Sequence, residues 1–234
     1  MNHLMLAAGL ALAAPAGAAE STVTFRTADG CAIEAVFSAP AKGSYILVNT
    51  HGLGSNRSEW GPLQTAAAER THGYLSLDLR GHGGSRSCNG KPVNYRKFTR
   101  ADWAASWRDI EAAALWLREK GYAPGRLVFC GASIGANLSM KAAAEGAVKP
   151  AGLILLSPGL DYAGVRSLPY IRTEMLIAAA PTDQYAWQSS LRLHEAAKEK
   201  KFLSDFLDGA KGHGSGMFST PGFIKALLDW LPGL

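Results

Sequence analysis

Charged residues are few in this sequence, and they are not clustered. Only 18% of the 234 residues are Asp, Glu, Lys or Arg, and the formal net charge is +5. The one local basic run is Lys-Glu-Lys-Lys at 198–201, which is typical of the solvated end of a helix. A protein that binds nucleic acid concentrates its Lys and Arg on one face. The dispersed charge therefore indicates partners other than nucleic acid or an anionic membrane surface.

The N-terminal segment has no charged side chain before Glu20. It is rich in Ala, is interrupted by Pro15 and Gly17, and falls short of the roughly 20 strongly apolar residues that a membrane-spanning helix needs. It ends in Ala-Gly-Ala, which matches a signal peptidase site. We therefore expect residues 1–18 to be an export signal. Residues 19–234 would be the mature chain, periplasmic or secreted, with no membrane span.

Hydrophobic residues make up 47% of the chain, and its length suits one domain with a sizeable core. An Asp-Gly turn at 29–30 separates two alternating segments and predicts an N-terminal antiparallel hairpin. Apolar runs typical of strands covered on both faces follow it: YILVNT, YLSLDL, RLVFCG, GLILLS and MLIAAA. Helical patterns lie between these runs. The alternation predicts an α/β fold, with a mainly parallel sheet and helices on both of its faces.

The clearest helical pattern extends from Thr99 to Lys120. Thr99 and Asp102 have the spacing of a capping box, and Gly121 supplies the stop. Apolar residues recur at intervals of three and four between these ends. The pattern predicts one continuous helix.

A Gly-Ala-Ser-Ile-Gly sequence at 131–135 lies where an apolar strand runs directly into a helix. This is the G-x-S-x-G pattern in its expected context. The sharp corner forces Ser133 into a crowded backbone conformation, so the residues two positions away must lack bulk. The corner also exposes the hydroxyl at a helix N-terminus, where free N–H groups favour developing negative charge. Ser133 is the candidate nucleophile, and an ordinary structural turn is the alternative.

A serine hydroxyl becomes a good nucleophile only when a base takes its proton. His213 is the best candidate base among the six histidines, because it lies in a Gly-rich loop between the last predicted strand and the final helix. His72 and His194 instead fall at the end of a helix and within one. An ordinary loop histidine is the alternative at position 213.

Two aspartates could orient that histidine. Asp183 follows the run MLIAAA and Asp161 follows the run GLILLS, so each lies just beyond the end of a strand. Asp183 is favoured because it comes after a short turn and because Ser133, Asp183 and His213 then occur in the expected order. Asp161 remains an alternative.

These features resemble the α/β-hydrolase family over essentially the whole mature chain. The segments NTHGLGSN and DLRGHGGS are similar to the family's oxyanion loop and to a frequent strand-end segment. The resemblance implies that Leu53 and Ile134 contribute backbone N–H groups to an oxyanion hole. It implies structural roles for His51, Arg80 and His82, and no metal or other cofactor.

The resemblance also implies a serine hydrolase with a Ser-His-Asp triad that cleaves a carboxylic ester of a small-molecule acyl substrate through an acyl-enzyme. Peptidase or acyltransferase chemistry on the same residues and a non-catalytic binding protein remain alternatives. Only residues 159–174 separate the sixth predicted strand from the seventh, so we expect no helical cap and an open pocket, as in carboxylesterases and dienelactone hydrolases. The side chains that could line this pocket are Tyr162, Tyr170, Trp187 and Met217.

The chain has only three cysteines. Cys130 lies in the strand before Ser133 and is expected to be buried. The strand order implied by the resemblance sets the second strand antiparallel to the fourth and brings Cys31 close to Cys88. We expect these two to form a disulfide in an exported chain.

Overall fold

The computed structural model describes residues 19–167, 172–199, 204–209 and 211–234. The predicted export signal, Tyr170 and part of the 198–201 basic run lie outside the described residues. The strands are β1 Ser21–Arg26, β2 Cys31–Ser38, β3 Ile46–Thr50, β4 Gly73–Leu77, β5 Ser87–Cys88, β6 Lys91–Pro92, β7 Leu127–Ala132, β8 Gly152–Leu156, β9 Asp161–Tyr162, β10 Val165–Arg166, β11 Glu174–Ala179 and β12 Ser204–Asp208. The α-helices are α1 Gly61–Glu69, α2 Arg100–Ala105, α3 Trp107–Glu119, α4 Ile134–Glu145, α5 Gln184–Glu199 and α6 Phe223–Trp230.

Ten strands of the described chain form one sheet. Nine of them follow the order β12-β11-β8-β7-β3-β4-β2-β5-β6, and β1 pairs with β2. The strands from β12 to β4 in this order pair in parallel, whereas β1 and β2 form an antiparallel hairpin. The predicted fold class, a mainly parallel sheet with an N-terminal antiparallel hairpin, is confirmed.

Helices cover both faces of this sheet. Successive residues of β3 point to opposite faces, so Val48 packs in the layer that contains α3, α4 and α5, while Leu47 packs in the layer that contains α1 and α6. Every residue of β3, β4, β7 and β8 is buried. Each fully buried Leu or Val side chain stabilises the fold by roughly 1.5–3 kcal/mol. Burial on both sides explains why these strands are continuous apolar runs.

The helix predicted from Thr99 to Lys120 is interrupted at Ser106. The capping box at its start is present, with Thr99 and Asp102 bonded reciprocally. Further on, the Ser106 hydroxyl donates to the Asp102 carbonyl at 2.9 Å, and the Ser106 N–H donates to Trp103 instead. The hydroxyl thus takes the acceptor that the backbone of a continuous helix would use, and the chain divides into α2 and α3.

Strand β12 was not predicted from the sequence. Its five residues, Ser-Asp-Phe-Leu-Asp, include two aspartates and are only partly buried. Within the described residues β12 forms the edge of the sheet and pairs with β11 alone, so polar side chains are tolerated there. A strand at the edge does not need a continuous apolar run, and such a run is the pattern that predicted the other parallel strands.

Cys31 and Cys88 are direct partners across β2 and β5 and form a disulfide, with their Cα atoms 3.8 Å apart. The predicted pairing is confirmed. Cys130 is a free thiol in the core, also as expected. The bond joins the N-terminal hairpin to the segment that follows β4.

Removing the disulfide should lower the free energy of unfolding by about 2–4 kcal/mol, because the bond connects residues separated by 57 positions and restricts the unfolded chain. Urea denaturation of the double variant Cys31→Ala, Cys88→Ala beside the wild type measures the difference. Thiol titration of denatured, unreduced wild type should detect only Cys130. Reaction of all three cysteines would contradict the bond.

Candidate active site

Ser133 lies at the corner between β7 and α4, with φ 56° and ψ −124°. A positive φ is uncommon outside glycine and marks a strained corner. A Cβ at position 131 would lie 2.3 Å from the Gly135 carbonyl oxygen, and one at position 135 would lie 2.3 Å from that of Thr50. The prediction that both positions require residues without bulk is confirmed.

Asp183 and His213 meet at the same edge of the sheet. Asp183 lies in the turn between β11 and α5, and its Oδ2 accepts a hydrogen bond from His213 Nδ1. The His213 side chain is 48% exposed and that of Asp183 is 20% exposed. A carboxylate at Nδ1 holds the proton on that nitrogen and leaves Nε2 as the acceptor.

The residue after the histidine fixes the His213 loop beside Ser133. Gly214 has φ 55°, and a Cβ there would lie 3.8 Å from the Ser133 nitrogen. Its N–H donates to the hydroxyl of Ser157 at 2.9 Å. Ser157 follows β8 and has a positive φ of 52°. The sequence carried no signal for Ser157, because its contact is with a loop 57 residues away.

Asp161, the alternative acid, is used differently. Its Oδ1 accepts the N–H of Gly164 at 2.6 Å, and its Oδ2 lies 3.6 Å from Arg166 Nε. These bonds close the turn between β9 and β10. Of the two candidate aspartates, the structure brings Asp183 to the histidine.

The loop that contains Leu53 lies against the serine. A Cβ at Gly52 would be 3.4 Å from the Ser133 Cβ. Ile134 begins α4, so its N–H has no partner within the helix. Within the described part of the chain, neither the Leu53 N–H nor the Ile134 N–H donates a backbone hydrogen bond. Both groups have the freedom that oxyanion donors need.

His51 holds this loop in place. Its Nε2 accepts the Leu79 N–H at 3.0 Å, so Nδ1 carries the proton and donates to the Gly52 carbonyl at 2.7 Å. The ring is fully buried, and burial lowers the pKa of His51 to about 4. The neutral ring therefore ties the loop after β3 to the end of β4.

His82 bonds the same loop, whereas Arg80 forms an ion pair with an aspartate of α3. His82 Nε2 accepts the Gly54 N–H at 3.3 Å, and its ring stacks on Tyr95 with centroids 3.9 Å apart. The Arg80 guanidinium pairs with buried Asp109 at 2.7 Å. These contacts are structural, as the resemblance implied.

Of the residues suggested to line the pocket, Tyr162 borders the site. Its ring lies 6.4 Å from that of His213, centroid to centroid, and its hydroxyl donates to the Ser157 carbonyl at 3.2 Å. Burial, followed by the charge of Asp183, raises the pKa of Tyr162, so the phenol is protonated at neutral pH.

Two of the other suggested pocket residues are used for packing. Trp187 packs edge-on against Phe206 of β12, with ring centroids 5.2 Å apart. Met217 is fully buried in the core layer of α1 and α6. Of the side chains predicted to line the pocket, Tyr162 is therefore the one that has contacts at the site among the described residues.

Among the described residues, no group of three or more His, Cys, Asp and Glu side chains could hold a metal ion. The same residues include no helix whose length and apolar character would allow it to cross a membrane.

A serine at a strand-to-helix corner, with an aspartate and a histidine at the same sheet edge, is an arrangement typical of α/β-type hydrolases. Residues 46–232 match the alpha/beta hydrolase family, and the chain belongs to this family. Among curated proteins, sequence comparison found no match.

Solved structures share the fold at low sequence identity. An esterase from Pyrococcus furiosus is 13% identical, with a TM-score of 0.75 over 92% of this chain and 90% of that one. A dienelactone hydrolase from Anabaena variabilis is 16% identical, with a TM-score of 0.68 over 92% of this chain and 95% of that one. An esterase from Exiguobacterium antarcticum is 16% identical, with a TM-score of 0.70 over 91% of this chain and all of that one.

Acidification should weaken the fold through His51. Its folded pKa of about 4 lies below the ordinary value of 6.5, so its contribution is complete above pH 6.5 and is lost as the pH falls toward 4. Between pH 7 and pH 5 this amounts to about 2 kcal/mol. Urea denaturation at both pH values should show a smaller loss for His51→Gln, which does not titrate. Equal losses in variant and wild type would contradict the assignment.

Proposed function

We propose that this hydrolase cleaves a carboxylic ester through an acyl-enzyme formed on Ser133. The observation that carries the proposal is the hydrogen bond between Asp183 and His213 at the sheet edge where the strained Ser133 corner lies. A base oriented by a carboxylate and a nucleophile on an exposed corner are the two parts that acyl transfer requires.

In the proposed first step, His213 Nε2 takes the proton of the Ser133 hydroxyl as its oxygen attacks the ester carbonyl. The N–H groups of Leu53 and Ile134 stabilise the oxyanion of the tetrahedral intermediate. The intermediate collapses, the ester C–O bond breaks, and the alcohol leaves with the proton from His213. Asp183 keeps the imidazole oriented and stabilises its cationic form.

In the second step, a water molecule replaces the alcohol. His213 takes one proton from the water as its oxygen attacks the acyl carbon, and the same two N–H groups stabilise the second oxyanion. Collapse breaks the bond to Ser133, which recovers its proton from His213, and releases a carboxylic acid. The half-exposed histidine is accessible to the water that this step requires.

The surface around the serine supports an ester with an apolar substituent as the substrate. Among the described residues, the exposed large hydrophobic side chains are Leu53, Leu160 and Tyr185. Each lies on a segment that borders the site: the oxyanion loop, the turn before β9, or the start of α5 after Asp183. Related folds include proteins described as esterases and a dienelactone hydrolase, which is consistent with this substrate class.

The proposal includes export of the mature chain to the periplasm or the medium. The disulfide between Cys31 and Cys88 supports it, because such bonds persist mainly in oxidising compartments.

A fluorophosphonate should add once to the wild-type mature protein, because the activated Ser133 oxygen attacks its phosphorus and displaces fluoride. Ser133→Ala should gain no mass, and intact-mass spectrometry measures both. A panel of esters with increasing acyl length then tests the substrate class. A folded wild type that gains no adduct and hydrolyses no ester would overturn the proposal.

Asp183→Asn should lower kcat by about 10⁴-fold, because an amide no longer fixes the histidine tautomer. Asp161→Asn is the matched control and should leave kcat near the wild-type value, since that carboxylate closes a turn. Ester hydrolysis by the two variants, each checked for folding by circular dichroism, decides the assignment. The reverse ranking would make Asp161 the triad acid.

A further inference from the structure

Glu59 is a half-buried carboxylate that the proposed mechanism does not use. It lies in the 3₁₀ turn Arg57–Trp60, which follows the oxyanion loop. Two other residues of the turn anchor it. Trp60 is fully buried beside Phe218, and the Arg57 guanidinium pairs with Asp78 at 2.7 Å. Glu59 is thus carried by a well-fixed piece of backbone.

The carboxylate contacts both loops of the site. Its Oε1 accepts the Gly52 N–H at 3.1 Å, one residue before Leu53. The hydroxyls of Ser55 and Ser215 lie near enough to the carboxylate to lower the pKa of Glu59. Ser215 lies two residues after His213, in the 3₁₀ turn Gly214–Ser219. One side chain is therefore bonded to the loop of the proposed oxyanion donor and lies beside the loop of the proposed base.

The Glu59 carboxylate is partly buried, and no cationic side chain among the described residues pairs with it. Burial is the main influence and raises the pKa of Glu59, while the hydrogen bonds and the nearby His213 oppose that rise. Among the described residues, Glu59 belongs to no ion pair within 4.0 Å, so neutral donors stabilise it. A partly buried carboxylate without a paired cation is costly for the fold alone.

We propose that Glu59 is a positioning residue for the hydrolytic reaction. It fixes the Gly52–Leu53 peptide and the turn after His213 in one geometry, and its negative charge stabilises the imidazolium that forms when His213 accepts the proton of Ser133. This inference rests on the proposed function, because it assigns Glu59 a part in the same reaction.

The sign of the charge effect can be stated in advance. Among the described residues, the charged or titratable groups that interact with the His213 ring are Asp183 at Nδ1, Glu59 through its charge, and the neutral phenol of Tyr162. Removing the charge of Glu59 makes the protonated ring less favourable. The free base then persists to lower pH, so the acid limb of kcat/KM moves to lower pH.

The experiment compares Glu59→Gln and Glu59→Ala with the wild type, using a p-nitrophenyl ester between pH 5 and pH 9. We expect Glu59→Ala to lower kcat by about 10²-fold with little change in KM, because the oxyanion loop loses its anchor. Glu59→Gln keeps an acceptor for the Gly52 N–H and should recover much of kcat, yet its acid limb should still move to lower pH.

Glu34→Gln is the matched control. It removes one negative charge and the 2.6 Å ion pair with Arg57, but leaves both loops in contact with Glu59. Its kcat and acid limb should follow the wild type. A folded Glu59→Gln variant with wild-type kcat and an unshifted acid limb would overturn the positioning role, even if Glu59→Ala fails to fold.

Fluorophosphonate labelling separates this inference from the function on which it rests. If the wild type labels at Ser133 and hydrolyses the ester while Glu59→Gln behaves identically, the hydrolase proposal stands and the role of Glu59 is wrong. If the folded wild type neither labels nor hydrolyses any ester, both proposals are wrong.

Discussion

The close backbone contact between the start of α4 and the end of β3 determines the rest of the site. A Cβ at Gly135 would lie 2.3 Å from the Thr50 carbonyl oxygen and 2.6 Å from that of His51. Only glycine permits this approach without displacement. The contact brings the loop after β3 directly against the Ser133 corner. The positions of the proposed nucleophile and of the proposed oxyanion donors therefore depend on one backbone packing interaction rather than on side-chain fit.

Buried polar residues beneath the site hold the loops that this contact brings together. His51 ties the loop after β3 to the segment that follows β4, and Asn137 of α4 bonds the backbone of Gly159 and Val165 around the β9–β10 hairpin. An unpaired buried donor or acceptor costs roughly 1–3 kcal/mol, so such networks favour a single arrangement. Loops with exposed tips can thus keep defined geometry at their bases.

The sequence predicted the parts of the molecule whose signals are local. The strand-to-helix corner at Ser133 and the apolar parallel strands can each be predicted from a continuous stretch of sequence. The sequence favoured Asp183 but kept Asp161 as an alternative, because both follow strands. Their difference lies in a turn bond to Gly164 and a contact with His213 that joins distant segments. Edge strand β12 escaped prediction because its exposed face accepts aspartates.

The position of His213 shows why such distant contacts matter to the proposed chemistry. β12 ends at Asp208, and the next residue donates its N–H to the Ala179 carbonyl of β11 at 2.8 Å. A Cβ at Gly209 would collide with buried Met217, which follows His213 in the chain. The loop is thus fixed at both ends while the imidazole between them is half exposed. In the proposed mechanism, this combination holds the base in line with Ser133 and still admits the water that releases the acyl group.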